Sequence, residues 1–272
     1  MKEPTPATLE KWNHLLDYLR KYERIGVAVS GGVDSALVCC AAVHALGREN
    51  VQAYTIESPL ETAQGVKDAR KIAEYLGVNL QLMELNELEI DDIRQNPSKR
   101  CYFCKLARLA KVKELADQVG IIAMADGSNA DDLKNYRPGK QALQELGVLS
   151  PLAEMGIRKA EVRELAQWQG LPVWSKPSTP CLATRFPYGT EINAQRLQQV
   201  GCAEQGLREM GFNEFRVRYH HEVARIEVPQ KSFEVVMQQR AEITSLIKSC
   251  GFLYVTLDLQ GFRSGSMDEA LQ

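Results

Sequence analysis

The fold is decided by the stretch Ile25-Gly26-Val27-Ala28-Val29-Ser30-Gly31-Gly32-Val33-Asp34-Ser35. Its first five residues are apolar or glycine and predict a buried strand, and the apolar residues after Ser35 predict a helix. Two adjacent glycines between a strand and a helix allow a tight turn. Because the N–H groups of a first helical turn have no partner within the helix, they bind anions well. The stretch therefore predicts a phosphate-binding loop.

This loop differs from two well-known phosphate-binding motifs. It has neither the lysine that ends a kinase-type P-loop nor the Gly-x-Gly-x-x-Gly of a Rossmann turn. It resembles the PP-loop of the N-type ATP pyrophosphatases, which hold the pyrophosphate of ATP and adenylate a substrate. The resemblance implies that ATP phosphates are bound by Ser30, Gly31, Gly32, Val33, Asp34 and Ser35, and that Asp34 also holds Mg²⁺. The alternative is a plain Gly-Gly turn with helix-capping serines.

Composition excludes several classes of protein. The chain has 272 residues, 44% hydrophobic and 25% charged, which is ordinary for one large or two modest globular cores. A formal net charge of -2 argues against nucleic acid as the partner. The first residues have no apolar signal core, and no run of about 18 apolar residues occurs, which predicts a cytoplasmic protein without a membrane span.

Seven cysteines are an odd number for a chain with no export signal, so a disulfide framework is not expected. Metal binding or thiol chemistry is the better explanation. Cys39 and Cys40 lie in the apolar helix after the loop and are predicted to be small buried side chains of the core. Cys202 and Cys250 are assigned no role.

Strands and helices alternate in the first two thirds of the chain. Apolar runs predict strands, and helical periodicity predicts helices between them. The strands are 25–29, 51–56, 79–85 and 121–125, and the helices are 9–24, 36–45, 61–76, 105–119 and 158–169. This alternation predicts an α/β fold with a doubly wound parallel sheet, in which ligands bind beyond the carboxyl ends of the strands.

The last third of the chain has a different pattern. A helix at 193–210 precedes strands at 214–219 and 223–228, a helix at 231–248 and a strand at 251–259. This β-β-α-β order predicts a smaller C-terminal α+β domain, to which we assign substrate binding or oligomerisation. The predicted domains are residues 1–185 and 186–272.

Four further segments point to one family: Arg100–Lys105, Asp126–Asp132, Tyr136–Gly139 and Lys176–Gly189. With the PP-loop, they resemble the LarE family, ATP-dependent sulfur transferases that make the nickel-pincer nucleotide cofactor of lactate racemase. The resemblance covers most of the chain. It implies that a carboxylate of pyridinium-3,5-biscarboxylic acid mononucleotide is adenylated and that a sulfur nucleophile then displaces AMP. Both carboxylates of the substrate become thiocarboxylates in turn.

The resemblance gives three cysteines a catalytic role. Cys181 matches the position of a cysteine that gives up its own sulfur and becomes dehydroalanine in single-cysteine members. This chain also has Cys101-x-x-Cys104, as do three-cysteine relatives whose thiolates hold a [4Fe-4S] cluster that carries sulfide. Cys181 is therefore either a cluster ligand or a sulfur donor. A redox dithiol or half of a zinc site are the alternatives for Cys101 and Cys104.

The remaining ATP contacts follow the same motifs. Thr55 and Ser58 are predicted on the adenosine side, although Ser58 also fits a plain turn before Pro59. Gly127 is predicted to let the backbone pass close to the nucleotide. Asp131 and its neighbour Asp132 are predicted to bind Mg²⁺ or ribose, and their alternative is a solvated helix N-terminus.

Arginines are predicted to hold the negative charges of the reactants. Arg137 and Arg185 are expected at the ATP phosphate or the adenylate, and Arg216 and Arg218, which alternate on one strand, at the substrate phosphate. A solvated strand face with salt bridges is the alternative for the last two. Glu204 and Glu227 are predicted to contact Mg²⁺ or the substrate.

Other classes of function stay open at this point. Amidating synthetases and tRNA thiolases also have PP-loops, whereas a nucleotide-sensing iron-sulfur protein or a dithiol redox protein would use the same cysteines without adenylation. The LarE resemblance implies a homo-oligomer, a small nucleotide substrate and a sulfide donor.

Overall fold

The computed structural model describes residues 3–133, 139–177, 180–263, 265–267 and 269. The chain forms two compact units. Unit 1 comprises Met1–Ser58, Ala63–Leu85 and Cys101–Thr179, and unit 2 comprises Pro59–Thr62, Asn86–Arg100 and Pro180–Gln272. The sequence predicted a domain boundary between residues 185 and 186. Residues 59–62, 86–100 and 180–185 lie before that boundary but belong to unit 2. The boundary itself stays a prediction.

The helices of both units, in chain order, are α1 Pro6–Leu19, α2 Val33–Leu46, α3 Ala63–Leu76, α4 Asp91–Arg94, α5 Arg100–Gln118, α6 Gly139–Leu146, α7 Pro151–Glu154, α8 Lys159–Trp168, α9 Ala194–Glu209, α10 Phe233–Gln238 and α11 Arg240–Ser249. The strands are β1 Ile25–Ala28, β2 Val51–Glu57, β3 Asn79–Glu84, β4 Ala123–Ala125, β5 Arg216–His220, β6 Val223–Glu227 and β7 Tyr254–Leu257. No helix in the described part of the chain is long and apolar enough to span a membrane.

Unit 1 has a four-stranded parallel sheet in the order β3-β2-β1-β4. Alternate strand residues face two separate cores, as the pleat of a strand requires. Val27 and Ala53 pack with α1, α2 and α8, whereas Tyr54 and Met124 pack with α5 and α6. The sheet is therefore buried on both faces, and the predicted doubly wound α/β fold is confirmed.

The strand order places a topological switch beside β1. From β1 the chain moves outward to β2 and β3, and it then returns to β4 on the other side of β1. Ligands of doubly wound sheets bind outside the carboxyl ends of the strands at such a switch. The loops after β1 and β4 both lie there.

Helix α5 begins five residues earlier than the sequence predicted. It starts at Arg100 rather than at Lys105, so that Cys101 and Cys104 lie in its first two turns. Arg100 is 3% exposed, and its guanidinium donates to the carbonyl of Ala183 at 2.9 Å. This buried hydrogen bond fixes the start of the helix. Hydrophobic periodicity, on which the prediction is based, does not reveal such a bond.

Unit 2 has a three-stranded sheet in the order β5-β6-β7, with β5 antiparallel and β7 parallel to β6. The predicted β-β-α-β order is found, but the single helix predicted at 231–248 is two helices, α10 and α11, that meet at Gln239. Strand β7 is also shorter than predicted.

One disulfide in unit 2 corrects the expectation from the cysteine count. Cys202 of α9 is bonded to Cys250, the residue that follows α11. The two helices pack closely, since a Cβ added to Gly206 of α9 would lie 2.4 Å from a methyl group of Leu246 in α11. An odd total of cysteines does not exclude one local pair.

Candidate functional site

The loop after β1 is shaped by Gly31. Its φ of 75° is a left-handed conformation, and an added Cβ would lie 2.2 Å from the carbonyl oxygen of Gly65. Gly32 is the N-cap of α2 and supplies no side-chain cap. The first N–H groups of this 14-residue helix are therefore left to an outside acceptor, which is the arrangement of an anion site.

The two serines of the loop brace it from within. Ser35 is 4% exposed, and its Oγ accepts the backbone N–H of Ser30 at 3.1 Å and donates to the carbonyl of Gly32 at 3.1 Å. Its hydroxyl also lies 3.2 Å from that of Ser30. The hydroxyl of Ser35 thus closes the loop on itself and holds its shape.

Asp34, in the first turn of α2, is held by two side chains. Its Oδ1 accepts from the amide of Asn129 at 3.0 Å, and its Oδ2 forms an ion pair with Lys159. The backbone N–H of Lys159 in turn donates to Asp131 at 2.9 Å. Asp131 therefore accepts the first N–H of α8, and Lys159 brings a positive charge to the start of α2.

A second lysine contacts the loop directly. Lys176 donates from Nζ to the carbonyl of Gly31 at 3.0 Å and pairs with Asp68 at 2.6 Å. Sequence reasoning gave no role to Lys159 or Lys176, although Lys176 opens one of the motif segments. Each of the two ammonium groups is paired with a carboxylate beside the loop.

Gly127 allows the loop after β4 to pack on the loop after β1. A Cβ at Gly127 would lie 2.6 Å from the backbone nitrogen of Ser35 and 2.9 Å from its Cα. The close approach is therefore to the first turn of α2. The adjacent Asp126 is 6% exposed and accepts from Lys105 at 2.7 Å and from Ser150 at 2.8 Å, which anchors this loop.

The predicted adenosine contacts lie at the carboxyl end of β2. Thr55 is a buried residue of that strand, with 5% of its surface exposed. Ser58 accepts a hydrogen bond from Arg108 of α5 at 3.1 Å. Arg137, predicted at the phosphates, lies outside the described residues.

The candidate sulfur residues are divided between the units. Cys101 is exposed and Cys104 partly buried, three residues apart on α5 in unit 1, and Cys181 is partly buried in unit 2. No group of three or more His, Cys, Asp or Glu in the described ranges is arranged to hold a metal ion. Burial raises the pKa of both Cys39 and Cys40 to about 12, which keeps them as inert thiols.

Arg185 and Glu204 form a buried pair in unit 2. Arg185 is fully buried, and its Nε and Nη2 donate to the two oxygens of Glu204 at 2.8 and 2.9 Å. Glu204 also accepts the backbone N–H of Val217 at 3.1 Å. A phosphate at Arg185 or Mg²⁺ at Glu204 would therefore require this pair to open.

Arg216 and Arg218 lie on β5, as predicted. Arg218 donates to Glu227 at 2.8 Å and to the carbonyl of Thr184 at 2.8 Å. Burial, together with the positive charges of Arg185 and Arg218, lowers the pKa of Arg216 to about 10. Because two arginines already neutralise Glu227, its carboxylate does not fit a magnesium ligand in this arrangement.

Comparisons with known proteins agree with this architecture. A family model described as NAD synthase matches residues 9–101. An uncharacterised protein of Synechocystis sp. is 43% identical over 96% of this chain and 98% of its own. Another, from Methanocaldococcus jannaschii, is 28% identical over 90% of this chain and 92% of its own.

A relative with a named activity decides the family. Pyridinium-3,5-bisthiocarboxylic acid mononucleotide synthase of Lactiplantibacillus plantarum is 39% identical over 257 residues, which are 94% of this chain and 93% of that protein. The match therefore includes the loop after β1, the cysteine-bearing segments and the arginines of β5. Because it spans nearly all of both proteins, this chain belongs to the LarE family of pyridinium-3,5-bisthiocarboxylic acid mononucleotide synthases.

Proposed function

We propose that the protein is an ATP-dependent sulfurtransferase that converts the carboxylates of pyridinium-3,5-biscarboxylic acid mononucleotide into thiocarboxylates for a nickel-pincer cofactor. The observation that carries this proposal is the uncapped start of α2 behind the Ser-Gly-Gly loop, in a chain that matches a named synthase almost from end to end. The proposal extends to ATP and Mg²⁺ as the co-substrate and its metal ion.

In this proposal, unit 1 binds the pyrophosphate portion of ATP. The N–H groups at the start of α2 donate to phosphate oxygens, and the positive end of the helix dipole adds attraction. Lys159 exchanges part of its contact with Asp34 for a phosphate oxygen, and Asp34 would then hold Mg²⁺, which would neutralise phosphate charge when bound. Lys176 keeps the loop in shape through the carbonyl of Gly31.

Adenylation makes the carboxylate reactive. A carboxylate oxygen of the substrate attacks the α-phosphorus of ATP, and pyrophosphate leaves with the electrons of the broken P–O bond. The α2 terminus and the lysines stabilise the charge that develops on pyrophosphate. A thiolate then attacks the acyl carbon, and AMP leaves. Arg216 and Arg218 are proposed to bind the phosphate of the mononucleotide.

The sulfur comes through the three candidate cysteines. If Cys181 is the donor, it forms a thioester with the substrate, and loss of its Cα proton with cleavage of its Cβ–S bond leaves dehydroalanine and a thiocarboxylate. If it is a ligand, Cys101, Cys104 and Cys181 would hold a [4Fe-4S] cluster, which supplies sulfide when bound. The two thiols on α5 suit this role because they lie one helical turn apart.

Metal analysis separates these two routes. The protein, reconstituted with iron and sulfide without oxygen, is compared with Cys101→Ala, Cys104→Ala and Cys181→Ala, and with Cys39→Ala as the buried control. The cluster route predicts about four irons per chain, lost in the three variants and kept in the control. Absence of iron together with loss of sulfur from Cys181 after turnover would establish the sacrificial route instead.

An amidating synthetase is the second candidate, because the NAD synthase model matches residues 9–101. That enzyme would use ammonia in place of sulfur after the same adenylation. Supplying ammonium and sulfide in competition, and identifying the product by mass spectrometry, separates the two. A thiocarboxylate supports sulfur transfer, and an amide supports the alternative.

A further inference from the structure

Three arginines share one face of the sheet in unit 2. Arg216 and Arg218 alternate on β5, and Arg225 of β6 is paired in register with Arg218. Glu227 accepts from Arg218 at 2.8 Å and from Arg225 at 3.0 Å. This carboxylate is the shared counter-ion of two guanidinium groups, and Asp258 lies 3.7 Å from Nη1 of Arg225, so the three arginines have two carboxylates beside them.

Two donors on this face are buried without an acceptor. The Nε atoms of Arg218 and Arg225 make no hydrogen bond to any described residue. Arg218 is 5% exposed, so water does not reach it freely. A buried N–H group that lacks a partner costs free energy, and such donors mark places where an anion gains most.

A segment near the C-terminus touches each of the three arginines. The ring of Phe262 lies 5.1 Å from the guanidinium carbon of Arg216. The hydroxyl of Ser266 accepts from Arg218 at 2.9 Å and donates to Glu227 at 2.8 Å. The sulfur of Met267 lies 3.7 Å from Nη2 of Arg225. The residues Phe262, Arg263 and 265–267 are called the cover segment below.

The backbone of this segment is set by glycines. Gly261 and Gly265 have φ values of 79° and 80°, which residues with side chains rarely adopt. Ser266 is only 8% exposed and offers Arg218 one neutral oxygen. A phosphate monoester would offer charged oxygens to the same guanidinium donor, so that a bond with one charged partner is exchanged for an ion pair that can also be bidentate.

We propose that the cover segment occupies the phosphate subsite on β5 and β6, and that a phosphate monoester displaces Ser266 from Arg218 when it binds. This inference rests on the proposed function, because it assigns the phosphate of the substrate to that subsite. Arg225 is the third arginine of this subsite, and its Nε donates a hydrogen bond to the phosphate. The cover segment keeps the arginines paired until a phosphate arrives.

Hydrogen exchange tests the displacement in the intact chain. Nicotinic acid mononucleotide, a pyridinium mononucleotide with one phosphate, is the probe, and orthophosphate is the second probe. The proposal predicts that backbone amides in the cover segment exchange faster when the probe is saturating. Slower exchange would mean that the segment closes over the ligand, which would overturn the proposal. Unchanged exchange would overturn it as well.

Truncation tests the competition. A chain that ends at Gln260 lacks the cover segment, and a control chain that ends at Met267 retains all three arginine contacts. Calorimetry is expected to show that the shorter chain binds the probe about tenfold more tightly than the control, because no hydrogen bond to Arg218 has to be broken. Ser266→Ala in the full chain is expected to change the affinity in the same direction. Equal or weaker binding by both variants would overturn the proposal.

Failure of this inference and failure of the proposed function give different results. Sulfur transfer by the full chain, with no change of exchange in the cover segment, would reject the displacement and leave the function standing. Faster exchange with the probe, in a protein that forms no AMP with its proposed substrate, would reject the function alone.

Discussion

At the residue scale, Lys159 provides the most direct test of the ATP site. Lys159→Ala should raise the KM for ATP by about tenfold to a hundredfold, because a charge-assisted contact worth about 1.5–3 kcal/mol is lost. Lys159→Arg should restore part of the affinity, since it keeps the charge. The measurement is AMP formation against ATP concentration, with the exposed Lys71→Ala as control. An unchanged KM in Lys159→Ala would exclude a phosphate contact.

Gly127 permits a second test at this scale. Its added Cβ would lie 2.6 Å from a backbone atom of α2, so Gly127→Ala should cost about 1–3 kcal/mol of stability and reduce ATP turnover. Gly201→Ala in α9 is the matched control. Its Cβ would meet only Leu182 at 3.8 Å, and alanine favours a helix by about 1 kcal/mol. Urea denaturation of both variants checks this, and equal midpoints would contradict the packing.

The site residues differ in how far the sequence could predict them. The strand, turn and helix start around Ser30, Gly31, Gly32 and Asp34 could be predicted because one short stretch contains all three, and their role at the phosphates stays a prediction. Lys159 could not be predicted, because it reaches Asp34 across 125 positions of the chain. The burial of Arg185 could not be predicted either, because its acceptor Glu204 lies on a separate element, helix α9. Contacts of this kind follow from tertiary packing, which local patterns do not contain.

At the element scale, the disulfide joins α9 to the end of α11. A reductant should lower the free energy of unfolding of the wild type by about 2–4 kcal/mol and have no effect on a Cys202→Ser/Cys250→Ser double variant. Thiol titration of the denatured chain should find five thiols before reduction and seven afterwards. Seven thiols before reduction would show that the bond is not present in solution.

Elements were predictable where apolar periodicity alone forms them. The parallel strands β1, β2 and β3 were predicted to within a residue or two because they are apolar and end at turns. The start of α5 was missed because the buried Arg100 fixes it, and α6 was missed because its 8 residues give too short a run for a clear helical period. Boundaries set by side-chain anchors need the tertiary structure.

At the scale of the whole molecule, the central claim is that ATP energy drives the exchange of oxygen for sulfur on a carboxylate. The most direct measurement is anaerobic incubation of the intact protein with ATP, Mg²⁺, sulfide and pyridinium-3,5-biscarboxylic acid mononucleotide, followed by mass spectrometry of the nucleotides. The account predicts a thiocarboxylate product formed together with AMP and pyrophosphate, and none of the three from the Asp34→Ala variant. ATP cleavage that leaves both carboxylates unchanged, or a sulfur product formed without ATP, would contradict it.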